Sequence, residues 1–480
     1  MNADRLIQSL ITDLPALLPE AAIVFLFLIS LIQALFFKSK VTAVTWGKIY
    51  ALALLFIAIL IAYQCNCRFG SYFWGGWQVD QASIQFAVLI VATTGLVWFF
   101  APKEDSNGTY FPLILIGFVM GALFLAYASH LLTAYLALEL LSLSSYLILL
   151  HPAGLKIPVE ERSEAALKFF IQGATSSAMM LFGFSIMFAF SGSLHYSSLL
   201  QVIMQSSNPL LLTGFLLSLA GFVFKLSMWP LHWWAPDVYQ SGNTTVILLF
   251  STVSKIAGIA AAYRYLHSGP MEGWVQVWLA LFAVVVMTLG NFGAFRALNF
   301  RRMMAFSSVS QSGFLWLALI LATTGDSLKI LVFYLISVVL GKWLAWAVYQ
   351  RLGPALGAEM TTWSFQRSSG LFDGLMLLVA FMSLTGLPLT MGFFAKFFLF
   401  TELFEYLNGP QAGLWWWVLA GSVLNTLPAL FYYLRPFYFG FIKNEGSQSQ
   451  LSDSPWTVKS LWLVLALAIL LFFFFPGVWF

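Results

Sequence analysis

Residues 371–407 read LFDGLMLLVAFMSLTGLPLTMGFFAKFFLFTELFEYL. The run is almost wholly apolar, and it is too long for one straight crossing of a hydrocarbon layer that a helix of about 20 residues spans. Gly386 and Pro388 fall near its middle, where a proline removes a backbone donor and interrupts the helical ladder. The stretch therefore reads as one helix broken at membrane depth, with Lys396 on its second half. Backbone groups freed in oil are tolerated only where they face other protein or a hydrated cavity.

The surrounding chain fits the same solvent. Of its 480 residues 60% are hydrophobic and 9% are charged, against about 25% charged in soluble domains, so a soluble fold is excluded. Hydropathy places spans near 15–37, 46–64, 79–100, 110–128, 130–151, 164–190, 210–229, 243–266, 274–295, 303–323, 327–349, 371–407, 412–437 and 458–475. The expected fold is all-α and polytopic, with fourteen transmembrane helices. The first span follows acidic Asp13 and includes Glu20, lacks a short apolar core with a cleavage site, and is expected to stay in the mature protein. No long polar segment stands between spans, and nothing suggests nucleic acid as a partner.

A second broken helix is expected where span 210–229 runs into Pro230 and the stretch LHWWAPDVYQ. Interruptions in two corresponding halves point to inverted-repeat transport folds. The expected organisation is an N-terminal three-helix segment over 1–109, a first five-helix repeat over 110–267, a second over 268–437, and a closing loop and helix over 438–480. Cys65 and Cys67 form a C-x-C, too few ligands for a zinc or iron-sulfur site, so no metal is expected.

Basic residues set orientation because Lys and Arg accumulate on the cytoplasmic side. Connections after odd-numbered spans carry fourteen of them; the opposite side carries four, Arg5, Arg68, Arg264 and Lys329. Both termini are thus expected on the non-cytoplasmic side. Of the 23 basic residues five remain, all lysines within spans: Lys168, Lys225, Lys255, Lys342 and Lys396. Each costs about 2.5 to 3.5 kcal/mol at the bilayer centre. Stability gives no reason to keep them. Snorkelling, which lifts a terminal ammonium to the interface, is open for Lys342 and Lys396 and suits the other three less well, so an interior polar path is expected for at least three of the five.

Polar neighbours at helical spacing support that path. Glu164, Lys168, Gln172, Thr175 and Ser176 make one stripe, Glu139, Ser142 and Tyr146 a second, and Ser251, Thr252 and Lys255 a third, while Ser307, Ser308, Ser310, Gln311 and Ser312 crowd another span. Packing through small hydroxyl residues explains the serines but not the lysines, nor Glu139, the one acid read as lying well inside a span. Burial brings amines and carboxylates toward a range in which both exchange protons. His232, two residues past Pro230, either extends such a relay or bonds loose carbonyls as a structural histidine.

LALELLSLSSY around Glu139, SEAALKFFIQGATSS around Lys168, FKLSMWPLHWWAPDVYQ from Lys225, STVSKIAGIA around Lys255, GNFGAFRALNFRRMMAFSSVSQSGF, and LTGLPLTMGFFAKFFLF around Lys396 together resemble the antiporter-like membrane subunits of bacterial proton-pumping NADH:quinone oxidoreductase (complex I), in their N-type branch, over roughly 110 to 410. PDVYQ, Lys255, and a lysine at 396 favour the N type over M; the absence of a long C-terminal amphipathic helix argues against L. The resemblance implies that Glu139 is the family's fifth-helix acid, Lys168 its partner on the sixth, Lys225 the lysine of the broken seventh, Lys255 the central lysine of the eighth, and Lys396 that of the broken twelfth. It implies outward proton pumping in a bacterial inner membrane, driven by quinone reduction elsewhere, with NADH, FMN, iron-sulfur clusters and quinone held by partner subunits. Subunits M and K would be its neighbours.

Two departures from the family pattern stand out. SGNTT at 241–245 replaces a GAPTP-like turn, and Lys342 replaces an uncharged polar residue, which makes it a candidate extra titratable stop in the second half-channel. The competing readings are a subunit of a multisubunit cation/proton antiporter or membrane-bound hydrogenase, the antiporter needing an ion site rich in carboxylates where only Glu139 and Glu402 are available, and a scaffold that tolerates uncharged replacements of its lysines.

Overall fold

A computed structural model describes residues 17–36, 40–63, 69–102, 108, 110–151, 158–205, 208–269, 273–356, 359–363, 365, 368–409, 411–443 and 456–474. Cys65, Cys67 and the N-terminal residues through 16 lie outside them, so the readings placed there are not tested.

The described chain is helical almost throughout. In order the helices are α1 Leu18–Phe36, α2 Lys40–Tyr63, α3 Gln81–Phe99, α4 Phe111–Tyr127, α5 Leu131–Leu150, α6 Val159–Ser191, α7 Tyr196–Gln205, α8 Pro209–Ser218, α9 Ala220–Lys225, α10 Trp234–Ser241, α11 Thr244–Ser251, α12 Val253–Leu266, α13 Trp274–Arg296, α14 Phe300–Leu321, α15 Gly325–Leu356, α16 Ser368–Thr385, α17 Met391–Glu405, α18 Ala412–Leu424, α19 Thr426–Phe437 and α20 Trp456–Phe474. Among the described residues ten helical stretches are long and apolar enough to cross a membrane. Four shorter apolar ones join them: Phe111–Tyr127, Pro209–Lys225, Gly370–Thr385 and Val458–Phe472. One short hairpin, β1 Gly70–Tyr72 with β2 Trp77–Val79, pairs antiparallel with Ser71 opposite Gln78.

Side chains at the loops start several helices. Asp80 caps α3 in a capping box with Ser83, Asn208 caps α8, and Asn299 accepts from the amides of Arg301 and Arg302 at the start of α14. Asn243 does the same for α11, its Oδ1 accepting from Val246 N at 2.7 Å, which gives the departing SGNTT sequence a defined role as a helix start.

The contacts divide the chain into two compact units: Met1–Leu226 with Ser241–Met271, and Ser227–Gln240 with Glu272–Phe480. The stretch after the first break thus packs with the second unit. Inside each unit a helical hairpin closes backbone to backbone over a glycine. A Cβ on Gly121 of α4 would stand 2.5 Å from the Leu141 amide of α5, and one on Gly290 of α13 would stand 2.4 Å from the Ser310 amide of α14. Small residues permit this approach where lipid supplies no hydrophobic drive between helices.

Candidate functional site: buried amines at two helix breaks

In the first unit the break follows Lys225. Leu226 closes α9 and Ser227 takes a left-handed φ of 56°, which turns the chain out of the helix. Lys225 Nζ donates to Ser142 Oγ at 3.3 Å and Ser145 Oγ at 3.2 Å, both on α5. Glu139 lies on α5 one turn before Ser142, half-buried, and its charge acts on Lys225 and on the phenol of Tyr146. Lys255, in the first turn of α12, donates from Nζ to the Leu226 carbonyl at 3.2 Å. That carbonyl belongs to the C-terminal end of a half-helix, where orphan acceptors and the negative end of the dipole attract a cation.

The second unit repeats the device with different parts. Helix α16 ends in a Schellman motif, with Gly386 N donating to Ser383 O and Leu387 N to Met382 O, and Gly386 in the left-handed region at φ 86°. Lys396 of α17 reaches back over the break, and its Nζ donates to Thr385 O at 2.7 Å while standing 4.5 Å above the Phe314 ring. Its stem crosses Gly386 so closely that a Cβ there would meet Lys396 Cδ at 2.8 Å. Lys342 of α15 donates to Ser308 Oγ on α14, and Ser308 Oγ shares a hydrogen bond of 3.0 Å with the Tyr239 hydroxyl. One turn along α14, Gln311 donates to Leu384 O at 2.8 Å and accepts from Tyr334.

Exposure decides the snorkelling question for four of the five amines. Lys225 and Lys255 are 2% exposed, Lys342 is 0% and Lys396 is 4%, so none of them lifts its ammonium to the chain's surface. Lys168 behaves differently from the interior placement expected of it. Its side chain is 51% exposed and pairs at 2.7 Å with Glu164 one turn earlier on α6. The stripe read on α6 faces outward at Glu164, Lys168 and Thr175 and turns inward only at Ser176.

His232 packs with the second unit against Trp233 and Phe306, and its Nδ1 is buried with no hydrogen-bond partner among the described residues. Pro230 and Pro388 both fall in the turns that follow the helix ends.

Several polar groups escaped the sequence reading. Asp373, in the first turns of the quoted stretch, is fully buried and bound to Arg351 at 2.6 Å. Arg351 falls just past the span 327–349 that hydropathy marks, so the sequence does not pair it with Asp373. Arg264, counted as a loop residue, is buried; it meets Asp80 at 2.8 Å and donates to Ala126 O. Tyr239 stands in the PDVYQ motif, but nothing in the spacing names a partner sixty-nine residues away.

At the loop end of the first unit a cavity of about 580 Å³ is lined by Asp80, His195, Tyr196, Tyr263, Arg264 and His267. Burial pulls His267 down to about 4, partly opposed by its bond to the Tyr263 carbonyl. His130 is also lowered, by burial first and by the neighbouring His195 second.

A family described as NADH:quinone oxidoreductase/Mrp antiporter, transmembrane, matches residues 128–427. The chain is similar to NADH-quinone oxidoreductase subunit N of Brevibacillus brevis, 30% identical over 82% of this chain and 78% of that one. It is similar also to NAD(P)H-quinone oxidoreductase subunit 2 of Nostoc punctiforme, 33% identical over 90% and 81%. Among solved structures it superimposes on a chain of respiratory complex I from Thermus thermophilus with a TM-score of 0.78 and 25% identity, covering 96% of this chain and 97% of that one.

Proposed function

This chain belongs to the NADH:quinone oxidoreductase/Mrp antiporter transmembrane family, and from that premise we propose that it is the N-type proton-translocating membrane subunit of a respiratory NADH:quinone oxidoreductase. The observation that carries the reading is the set of four buried ammonium groups, each held by a hydroxyl or by a carbonyl at a helix end. Amines so placed cost the fold stability, and holding and releasing a proton is what such a group supplies in return.

The relay takes Glu139, Lys168, Lys225, His232 and Lys255 through to Lys396, with Lys342 as an added stop in the second half. A change of charge at Glu139 alters the field at Lys225, so a signal passes sideways while protons pass across. Lys168, exposed beside Glu164, would face a neighbouring subunit and receive that subunit's charge state. The fold reading that goes with this is fourteen crossings, ten long and four short, with broken helices in two inverted five-helix repeats over 110–267 and 268–437. Both termini lie outside the cytoplasm across a bacterial inner membrane. NADH, FMN, iron-sulfur clusters and quinone sit in partner chains, M and K are the adjoining subunits, and this chain has no redox centre of its own.

The test is Lys255→Ala in the assembled complex, reconstituted in proteoliposomes. Acidification of the lumen per electron should be lost while the complex keeps its subunit composition. Normal acidification in that variant would overturn the reading.

A further inference from the structure

Two of the four buried ammonium groups, Lys255 and Lys396, donate to backbone carbonyls, which accept and cannot pass a proton on. Lys342 does not. Its ammonium donates to the hydroxyl of Ser308, and that hydroxyl is bonded in turn to the hydroxyl of Tyr239. A hydroxyl both donates and accepts, so a line of two of them continues where a carbonyl stops. The three side chains come from three elements of the second unit, α10, α14 and α15, and all three residues are 0% exposed. Their geometry is held from outside the line: the Tyr239 ring packs on Trp346, one turn beyond Lys342, and Ser312 Oγ donates to the Ser308 carbonyl.

We propose that Tyr239 and Ser308 form a proton-conducting bridge that loads Lys342 from the stretch following the first helix break. The inference rests on the relay reading and names the path by which this chain's extra lysine is used. While Lys342 is an ammonium, Ser308 accepts from it and turns its own O–H toward Tyr239. When Lys342 gives up its proton, both hydroxyls reverse: Tyr239 donates to Ser308 and Ser308 to the lysine nitrogen. A proton arriving at the Tyr239 oxygen then completes the step. The Tyr239 proton passes to Ser308, the Ser308 proton passes to Nζ, the incoming proton restores the phenol, and Lys342 is again an ammonium with one proton gained overall. The line as built runs from Tyr239 through Ser308 to one titratable group, Lys342.

The experiment measures coupled turnover and lumen acidification of the assembled complex in proteoliposomes, with Lys255→Ala as the internal reference. Tyr239→Phe keeps the ring on Trp346 and removes only the hydroxyl; coupled turnover should fall roughly a hundred-fold, the lower end of what a placed proton-transfer group contributes. Ser308→Ala should do the same and Ser308→Thr, which retains a hydroxyl, should recover most of the rate, a pattern that loss of packing does not produce. If Lys255→Ala abolishes acidification but Tyr239→Phe and Ser308→Ala both stay within about threefold of the parent, the bridge is wrong and the relay stands. If Lys255→Ala pumps normally, the relay itself is wrong. Should Tyr239→Phe fail to assemble, the Ser308→Ala and Ser308→Thr pair decides alone.

Discussion

The two units place amines in oil around the same backbone event and surround them differently. In the first, Lys225 rests on serine hydroxyls, Lys255 covers a carbonyl at the break, and a carboxylate, Glu139, acts on the group from the same helix as the serines. In the second, Lys396 covers the carbonyl at the break and Lys342 rests on a hydroxyl line, and the carboxylate Glu402 is bonded to Ser327 instead. The shared part is physical: a broken helix exposes acceptors at its C-terminal end, and an ammonium is the group that satisfies them best. The part that differs is the counter-charge: the charge of Glu139 acts on Lys225 in the first unit, whereas Lys342 in the second donates to a neutral hydroxyl.

The largest expected effect separates the units by their ion pairs. Arg351–Asp373 in the second unit has its carboxylate wholly buried, whereas the Asp80 side chain of the Arg264–Asp80 pair in the first is 42% exposed. Removing one member of a buried pair leaves an unpaired charge and costs about 3 to 5 kcal/mol; removing Asp80, whose side of the pair is open to water but which also caps α3, should cost less, about 1 to 2 kcal/mol. Thermal unfolding of the purified chain in detergent should show Asp373→Ala far below Asp80→Ala. Equal losses would mean that water reaches Asp373.

The breaks differ in tightness as well. A Cβ on Gly392 would fall 1.8 Å from the Ser383 carbonyl, across the second break, while one on Gly258 beside the first would come no nearer than 3.0 Å, to the movable Leu226 side chain. Gly392→Ala should therefore cost about 3 kcal/mol, at the upper end for overpacking, and Gly258→Ala about 1 kcal/mol or less. A mild Gly392→Ala would show that the second break yields as readily as the first.

Next comes the counter-charge. Across about 10 Å at an effective dielectric of about 20, one unit charge is worth roughly 1.7 kcal/mol to another, somewhat more than a factor of ten in an equilibrium. Glu139→Gln should lower coupled turnover by about tenfold, whereas Glu402→Gln, whose partner is a serine, should change it by less than about twofold. If the two variants behave alike, the contrast between the units in how their lysines are tuned is lost.

How much of this was legible in the sequence follows from what periodicity and composition can see. The polytopic helical class, both breaks and the buried positions of Lys225 and Lys255 follow from hydropathy and from two prolines, because the bilayer penalises each departure from an apolar helix; for Lys342 and Lys396 the sequence left burial and snorkelling both open, and the fold places both inside. The outward turn of Lys168 was not legible: Glu164 and Lys168 share a face by spacing, but which way that face points depends on what packs on α6. Nor were the pairings of Arg351 with Asp373 and Tyr239 with Ser308, which join residues twenty-two and sixty-nine positions apart. Both members of each pair were visible as polar residues in or beside spans; only the fold brings them together.

The smallest effect concerns the loop-end cavity described in the first unit. His267 donates from Nδ1 to the Tyr263 carbonyl at 3.0 Å, stacks on the Tyr263 ring, and has an Nε2 that is buried without a partner. A second proton would have to sit on that nitrogen, which is why burial holds the group at about 4 in the fold against about 6.5 unfolded. Between those values the unfolded chain takes up a proton that the folded chain refuses. Stability should therefore be flat above about pH 6.5 and fall as the pH drops toward 4. His267→Asn keeps a donor for the Tyr263 carbonyl and removes the titration. Its melting temperature should change less between pH 7.5 and pH 5 than that of the parent, with His130 contributing the remaining slope in both. Identical slopes in the two proteins would mean that protonated His267 finds water in the cavity, and that the first unit is no more sensitive to acid than the second.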